Sequence, residues 1–195
     1  RYLEDGKPED LNTYKKDEVV RLKVIVHVGP KGFQKVGHIC FAYDDIVYSY
    51  GNYDSDSFHL NQTIGDGIFF TVPLEKYIPN MITAENNSIF EYGIYTTSKQ
   101  NALIEKEIEK IRQNGYRWYT KIEKEDGYDR FSEYEMDYPS RLHYRTGAKL
   151  YKVKSGKFHI YWALGDNCAS FTDLVTLGAD VLSIRGIISP GTYLD

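Results

Sequence analysis

The stretch Val36-Gly37-His38-Ile39-Cys40-Phe41-Ala42-Tyr43-Asp44-Asp45-Ile46-Val47-Tyr48-Ser49-Tyr50-Gly51-Asn52-Tyr53 decides the fold. Two runs rich in β-branched and aromatic residues, 36–43 and 46–53, flank a pair of aspartates, which is the make-up of a hairpin. With Asp44-Asp45 as a two-residue turn, Tyr43 pairs with Ile46, Cys40 with Ser49 and His38 with Gly51. Alternation along the strands then puts Ser49 on the same face as His38, and Cys40 as well. A turn one residue longer or shorter would bring Tyr50 there in place of Ser49.

Outward from this hairpin the pattern stays that of a sheet. The run VVRLKVIVHV, 19–28, reads as a strand ended by Gly29-Pro30, and further strands are expected over 46–53, 65–73, 89–95, 149–153 and 157–164. The clearest helix covers 98–114. Thr97 and Gln100 have capping-box spacing, Ile104, Ile108 and Ile111 form one apolar stripe, and Gly115 suits the stop. A second helix opens at Cys168. Residues 1–18 read as a loosely held lead-in, 116–138 as a charged and aromatic surface excursion, and the tail as loop-rich. The expectation is a single domain, 1–195, of the α+β class with an antiparallel sheet.

Composition narrows the function. The 195 residues are 42% hydrophobic and 27% charged, enough for one packed core, and the net charge of −4 carries no footprint for nucleic acid. The longest apolar runs, such as 67–74, are strand-sized, so no transmembrane segment is expected. Two cysteines are too few for a disulfide scaffold, although one bridge between Cys40 and Cys168 remains arithmetically open. The 18 tyrosines favour sheets and polar-rimmed surfaces. The start at Arg1 suits a processed product or an excised domain, so a missing leader says nothing of compartment.

Cys168 is the first candidate for chemistry. It follows Asp166-Asn167, both good N-cap types, which places its sulfur in the first turn of a helix. There the helix dipole and unpaired amides should lower the thiol pKa and could hold an oxyanion. Against this stands the bland role of most cysteines, a small buried core residue. His38 is the natural base for such a thiol, because base and nucleophile need proximity in space rather than in sequence. On composition alone His27 competes with it. His59, His143 and His159 sit among more polar neighbours.

The pair of segments Val36-Gly37-His38-Ile39-Cys40-Phe41 and Gly165-Asp166-Asn167-Cys168-Ala169-Ser170-Phe171 resembles the NlpC-type cysteine hydrolases of the papain-like fold. It is most similar to their circularly permuted branch, which includes lecithin retinol acyltransferase. In that branch the catalytic histidine comes first, on a strand, and an Asn-Cys-x-x-Phe motif opens a helix near the C-terminus. Ser189-Pro190-Gly191 is also reminiscent of the segment after that helix. The resemblance implies Cys168 as nucleophile, His38 as base, Asn167 as support of the nucleophile and oxyanion site, and a third polar residue on the strand after His38. Acyltransferase relatives carry a second histidine there; this chain has none, and Ser49 takes the place, with Cys40 and Tyr50 as walls of the site.

What the resemblance implies for function is hydrolysis of amide bonds in peptides, with bacterial cell-wall stem peptides the commonest target and no cofactor. A cell-wall enzyme would be secreted, or delivered as a toxin domain with an immunity protein as partner. Two rivals stand beside it: a lipid acyltransferase or thioesterase of the same fold, and a catalytically silent binding domain. A zinc site from His38 and Cys40 lacks any CxxC or HExxH spacing, so no metal is expected. The run Glu105-Lys106-Glu107-Ile108-Glu109-Lys110 is read as the solvated face of the first helix. Tyr116, Trp118, Tyr119, Tyr128, Phe131, Tyr134 and Tyr138 could line a groove or pack as a loop against the sheet, and the second reading is preferred.

Overall fold

The computed structural model describes residues 19–29, 37–124 and 135–179. The lead-in, Ser189-Pro190-Gly191, and Tyr128, Phe131 and Tyr134 lie outside the described residues. The chain forms an α+β fold around a seven-stranded sheet in which every paired neighbour is antiparallel. In chain order the strands are β1 Leu22–Val28, β2 His38–Tyr43, β3 Ile46–Gly51, β4 Ile64–Asp66, β5 Ile68–Pro73, β6 Ser88–Ile94, β7 Gly115–Trp118, β8 Lys149–Val153 and β9 Ile160–Trp162. The sheet runs β6-β1-β2-β3-β5-β8-β7, and β4 and β9 form a separate two-stranded ribbon.

The hairpin turn is built as its sequence requires. Asp44 and Asp45 both take positive φ, 49° and 59°, the conformation of a two-residue turn that aspartate tolerates better than most residues. Arg21 clasps the Asp44 carboxylate through Nε and Nη2 at 2.8 and 2.6 Å, and Lys23 reaches Asp45 at 2.7 Å. Tyr43 pairs with Ile46, Ala42 with Val47 and Phe41 with Tyr48, the expected register.

Alternation along the central strands splits the apolar side chains between two faces. On one face Phe41, Tyr48, Tyr50 and Phe69 pack under Ile104, Ile108 and Ile111 of helix α2 (Ser98–Gln113) and Phe171 and Val175 of helix α5 (Cys168–Thr176). On the other, Ile25, Cys40, Ala42, Val47, Phe70 and Leu150 pack under Leu74, Tyr77 and Ile78 of helix α1 (Leu74–Pro79) and Leu142 of helix α4 (Tyr138–Thr146). Helices cover both faces. The capping box of α2 is present, with Thr97 and Gln100 exchanging the expected bonds.

Three sequence expectations are corrected. The strand foreseen over 65–73 is two, β4 pairing with β9 and β5 with β3 and β8, and Gly67 between them lies so close to the Phe158 carbonyl that a Cβ would meet it at 1.8 Å. The strand foreseen over 157–164 is only β9. The surface excursion foreseen over 116–138 is partly regular: it holds most of β7, the short helix α3 (Lys121–Lys124) and the first residue of α4. Edge pairing of β7 with β8 supplies the hydrogen bonds that the sequence pattern did not announce.

Candidate active site

The first turn of α5 is locked by its own side chains. Asn167 Oδ1 accepts from the N–H groups of Ala169 and Ser170 at 3.0 and 3.1 Å, and Ser170 Oγ accepts from the Asn167 N–H at 2.9 Å. Asn167 Nδ2 also donates to the Ala163 carbonyl at 2.9 Å, tying the helix start to the preceding turn. This reciprocal cap satisfies amides that a helix start leaves unpaired and fixes where Cys168 points. Phe171 anchors the next turn, stacked on Tyr50 at 5.0 Å and edge-on to Phe158 at 5.4 Å.

Cys168 packs with Val24, Val26 and Ile39 at the end of the sheet where β2 and β3 separate. The phase of the β1–β2 ladder shows why. Asp44 N–H donates to the Arg21 carbonyl, so bonded pairs recur at 23/42, 25/40 and 27/38, and Ile39 turns its N–H away from β1, towards β3. Continued register would put Tyr50 opposite Ile39, but the β2–β3 ladder stops at Phe41–Tyr48. The Ile39 N–H, left without a β3 partner, favours the anion of Cys168, as do those of Ala169 and Cys168 itself. Burial dominates the raised pKa values of Cys40, Tyr53, Tyr50 and Tyr161, and negative charge on Cys168 adds to each. Cys40 and Tyr53 belong to one face, Tyr50 and Phe158 to the other. The neighbours of Cys168 alternate with Ile25 and Cys40, so they belong to the face that α5 covers, and Cys168 is not among the walls of the cleft beside His38.

His38 opens β2 on the α1/α4 face. Its Nε2 is 2.7 Å from Ser49 Oγ, and Ser49 in turn is 3.3 Å from the Tyr53 hydroxyl. The splay of the strands lets Ser49 reach His38 although the two are not in a paired register. No hydrogen bond joins the His38 imidazole to the Cys168 thiol among the described residues, and His38 Nδ1 makes none either. Burial lowers His38 to about 4, so the imidazole is neutral near neutral pH. Burial raises the Cys168 thiol, and the three N–H groups only partly offset it. The sequence expectation of a lowered thiol pKa is therefore corrected: desolvation outweighs the helix start.

His27 stands directly opposite His38 in the β1–β2 register, the rings 4.9 Å apart. It shares a 3.0 Å hydrogen bond with the Tyr77 hydroxyl, which also receives the Cys40 thiol at 3.9 Å. Burial first, then the His38 charge, holds His27 well below the usual imidazole range. Committed to Tyr77, His27 is second to His38 as a base. Tyr53 and Tyr77 were not singled out in sequence. Neither sits in a motif, and only the fold brings Tyr77, 50 residues from His27, beneath the sheet.

A cleft of about 320 Å³ opens beside His38 and His27, with Tyr53, Tyr138, Glu85 and Arg141 among its walls. Cys40 lies beneath it in the core rather than in its wall, and both cysteines are free thiols. Tyr50 lies on the opposite face, under α5, donating to the Phe158 carbonyl at 3.0 Å. It supports the nucleophile helix and does not line this cleft. Among the described residues no cluster of histidine, cysteine and carboxylate could hold a metal ion, and no helix is long and apolar enough to cross a membrane. No protein-family model, curated protein or solved structure matches the chain.

Proposed function

We propose that the protein is a cysteine hydrolase of the papain-like class, with Cys168 as nucleophile and His38 as base. More particularly, it is a permuted NlpC-type peptidase that cleaves amide bonds in peptides, with cell-wall peptides the first substrates to try. One observation carries the reading: Ser49 engages His38 Nε2 and leaves Nδ1 without a hydrogen bond among the described residues, while Asn167 caps the helix start that bears Cys168. A base oriented by a third group beside a nucleophile at a helix N-terminus is the arrangement thiol catalysis needs.

Both groups rest neutral, since burial raises the thiol and lowers the imidazole. Proton transfer from Sγ to His38 Nδ1 therefore accompanies attack on the carbonyl carbon, when the negative charge moves on to oxygen. The Ile39 N–H and the Cys168 N–H, an amide without an intrahelical acceptor, are the two of these donors that the Asn167 cap does not engage, and they would hold that oxyanion. The imidazolium then protonates the leaving amine, and water hydrolyses the thioester with His38 again as base. Ser49 keeps the ring in one orientation throughout.

The second reading is a silent binding domain. It is favoured by the burial of Cys168, 7% exposed, and by the lack of a thiol–imidazole hydrogen bond. A lipid acyltransferase draws less support, because the cleft beside His38 carries two histidines, a glutamate and an arginine. The deciding experiment incubates the protein with purified cell walls, synthetic peptides and phospholipids and looks for released fragments by mass spectrometry. Peptide products that vanish with Cys168→Ala support the proposal. Intact peptides throughout, with ligand still bound, establish the binding domain.

A further inference from the structure

The cleft beside His38 carries two formal charges on its described walls, Glu85 and Arg141, because burial keeps both histidines neutral. They are unequally satisfied. Glu85 Oε1 accepts from Arg145 Nη1 at 3.0 Å, so its charge is already answered from α4. Arg141 Nη2 is 3.6 Å from Glu85 Oε2, an ion pair too long for a hydrogen bond. The one side-chain hydrogen bond Arg141 makes among the described residues runs from Nη1 to the Met136 carbonyl at 2.6 Å. A guanidinium has five N–H donors in a planar fork that matches a carboxylate. Tyr138, whose ring lies 5.9 Å from the Arg141 guanidinium, braces the fork and is itself a wall of the cleft. The volume, about 320 Å³, falls in the range of small-ligand sites.

We infer that Arg141 anchors a carboxylate-binding subsite in the His38 cleft, selecting amide substrates with an acidic group on the portion bound there. The inference rests on the cysteine-hydrolase reading for what lies next to the subsite, but binding can be tested without the reaction. Glu85 competes with the incoming carboxylate for Arg141, and Arg145 limits that competition by holding the other Glu85 oxygen.

The test uses the full chain with Cys168→Ala, so that no ligand is consumed. Its probes are acetyl-Ala-Glu-amide and the neutral acetyl-Ala-Gln-amide, each with the second residue in L and D form. Calorimetry or ligand-observed NMR should show the better glutamate peptide binding roughly tenfold tighter than its glutamine partner, the scale of one charge-assisted bidentate contact. Adding Arg141→Gln should erase the difference. Adding Glu85→Gln should tighten the glutamate peptide, a gain that loss of folding cannot mimic. Equal binding of glutamate and glutamine peptides overturns the subsite, as does no binding of any peptide, or a preference that survives Arg141→Gln. Failure of the thiol-bearing protein to cleave any peptide would count against the hydrolase and leave this binding result standing.

Discussion

Ser49 Oγ lies 2.7 Å from His38 Nε2, although the ladder between their two strands ends at Phe41–Tyr48, before it reaches either residue. The same early end of the ladder leaves the Ile39 N–H to favour the Cys168 anion. Loss of three rungs between β2 and β3 thus does two jobs: it lets a serine turn towards an imidazole, and it leaves a strand N–H to favour the anion of a thiol carried by the opposite helix layer.

Ser49→Ala should lower kcat on a cleaved peptide about tenfold with little change in KM, since it removes an orienting bond of roughly 1–1.5 kcal/mol and no substrate contact. Ser49 is fully buried and also meets the Tyr53 hydroxyl, so stability should fall by about 1–2 kcal/mol in urea titrations. Tyr53→Phe leaves the Ser49–His38 bond intact and should spare kcat. Equal kcat loss in both variants would mean that Ser49 acts through packing alone.

Asn167→Ala should cost about 1 kcal/mol of stability through loss of the cap. Asn167→Asp keeps an acceptor for the Ala169 and Ser170 N–H groups but loses the Nδ2 bond to the Ala163 carbonyl. It should recover most of the stability, measured by thermal melting, and little of the activity if that tether sets where Cys168 points.

Acid should destabilise the fold between about pH 6.5 and 4. His38 is lowered to about 4 and His27 well below its usual value, so in that window the unfolded chain binds more protons than the folded one. Stability is then fully present above the ordinary imidazole pKa and lost as pH falls towards the folded values. His27, 6% exposed and bonded to Tyr77, should carry the larger share, since His38 opens on the cleft. Urea midpoints from pH 7 to 4 should fall less steeply in His27→Gln than in the wild type; identical slopes would place the acid sensitivity elsewhere.

How far the sequence spoke depends on whether the signal was local. Asp44-Asp45 set the hairpin register, Thr97 and Gln100 the start of α2, and Asn167 the start of α5, because caps and tight turns are decided within a few residues. The face shared by Ser49 and His38 followed from the same register. α4 had equally local marks: an Asp137 cap, Pro139 in the first turn and Gly147 at φ 71° as its stop. A crowd of aromatics drew the reading towards a loop instead. α1 and the π-helical turn after it, 80–84, had no such marks, and Pro79 inside the helical run argued against them. The raised Cys168 thiol was beyond local reading altogether. The helix start predicts a lowered pKa, and only packing against Val24, Val26 and Ile39 reverses it.

That reversal gives the sharpest prediction, on thiol labelling. Burial raises Cys168 and raises Cys40 further, with Cys40 also isolated under α1 beside Tyr77. Iodoacetamide reacts with the thiolate, so labelling at Cys168 should be slow at mildly acidic pH and climb with a midpoint alkaline of an ordinary thiol, about 8.5. Cys168 should still be labelled well before Cys40, because the N–H groups of Ile39, Ala169 and Cys168 favour its anion while, among the described residues, only the Tyr77 hydroxyl does so for Cys40. His38→Ala should leave the midpoint nearly unchanged, since a neutral imidazole offers the resting thiol no counter-charge, yet it should abolish turnover by removing the proton acceptor. Peptide mapping of labelled protein across pH 5–10 reads all three outcomes. Rapid labelling of Cys168 below pH 6, lost in His38→Ala, would reveal a resting thiolate–imidazolium pair and refute the neutral mechanism.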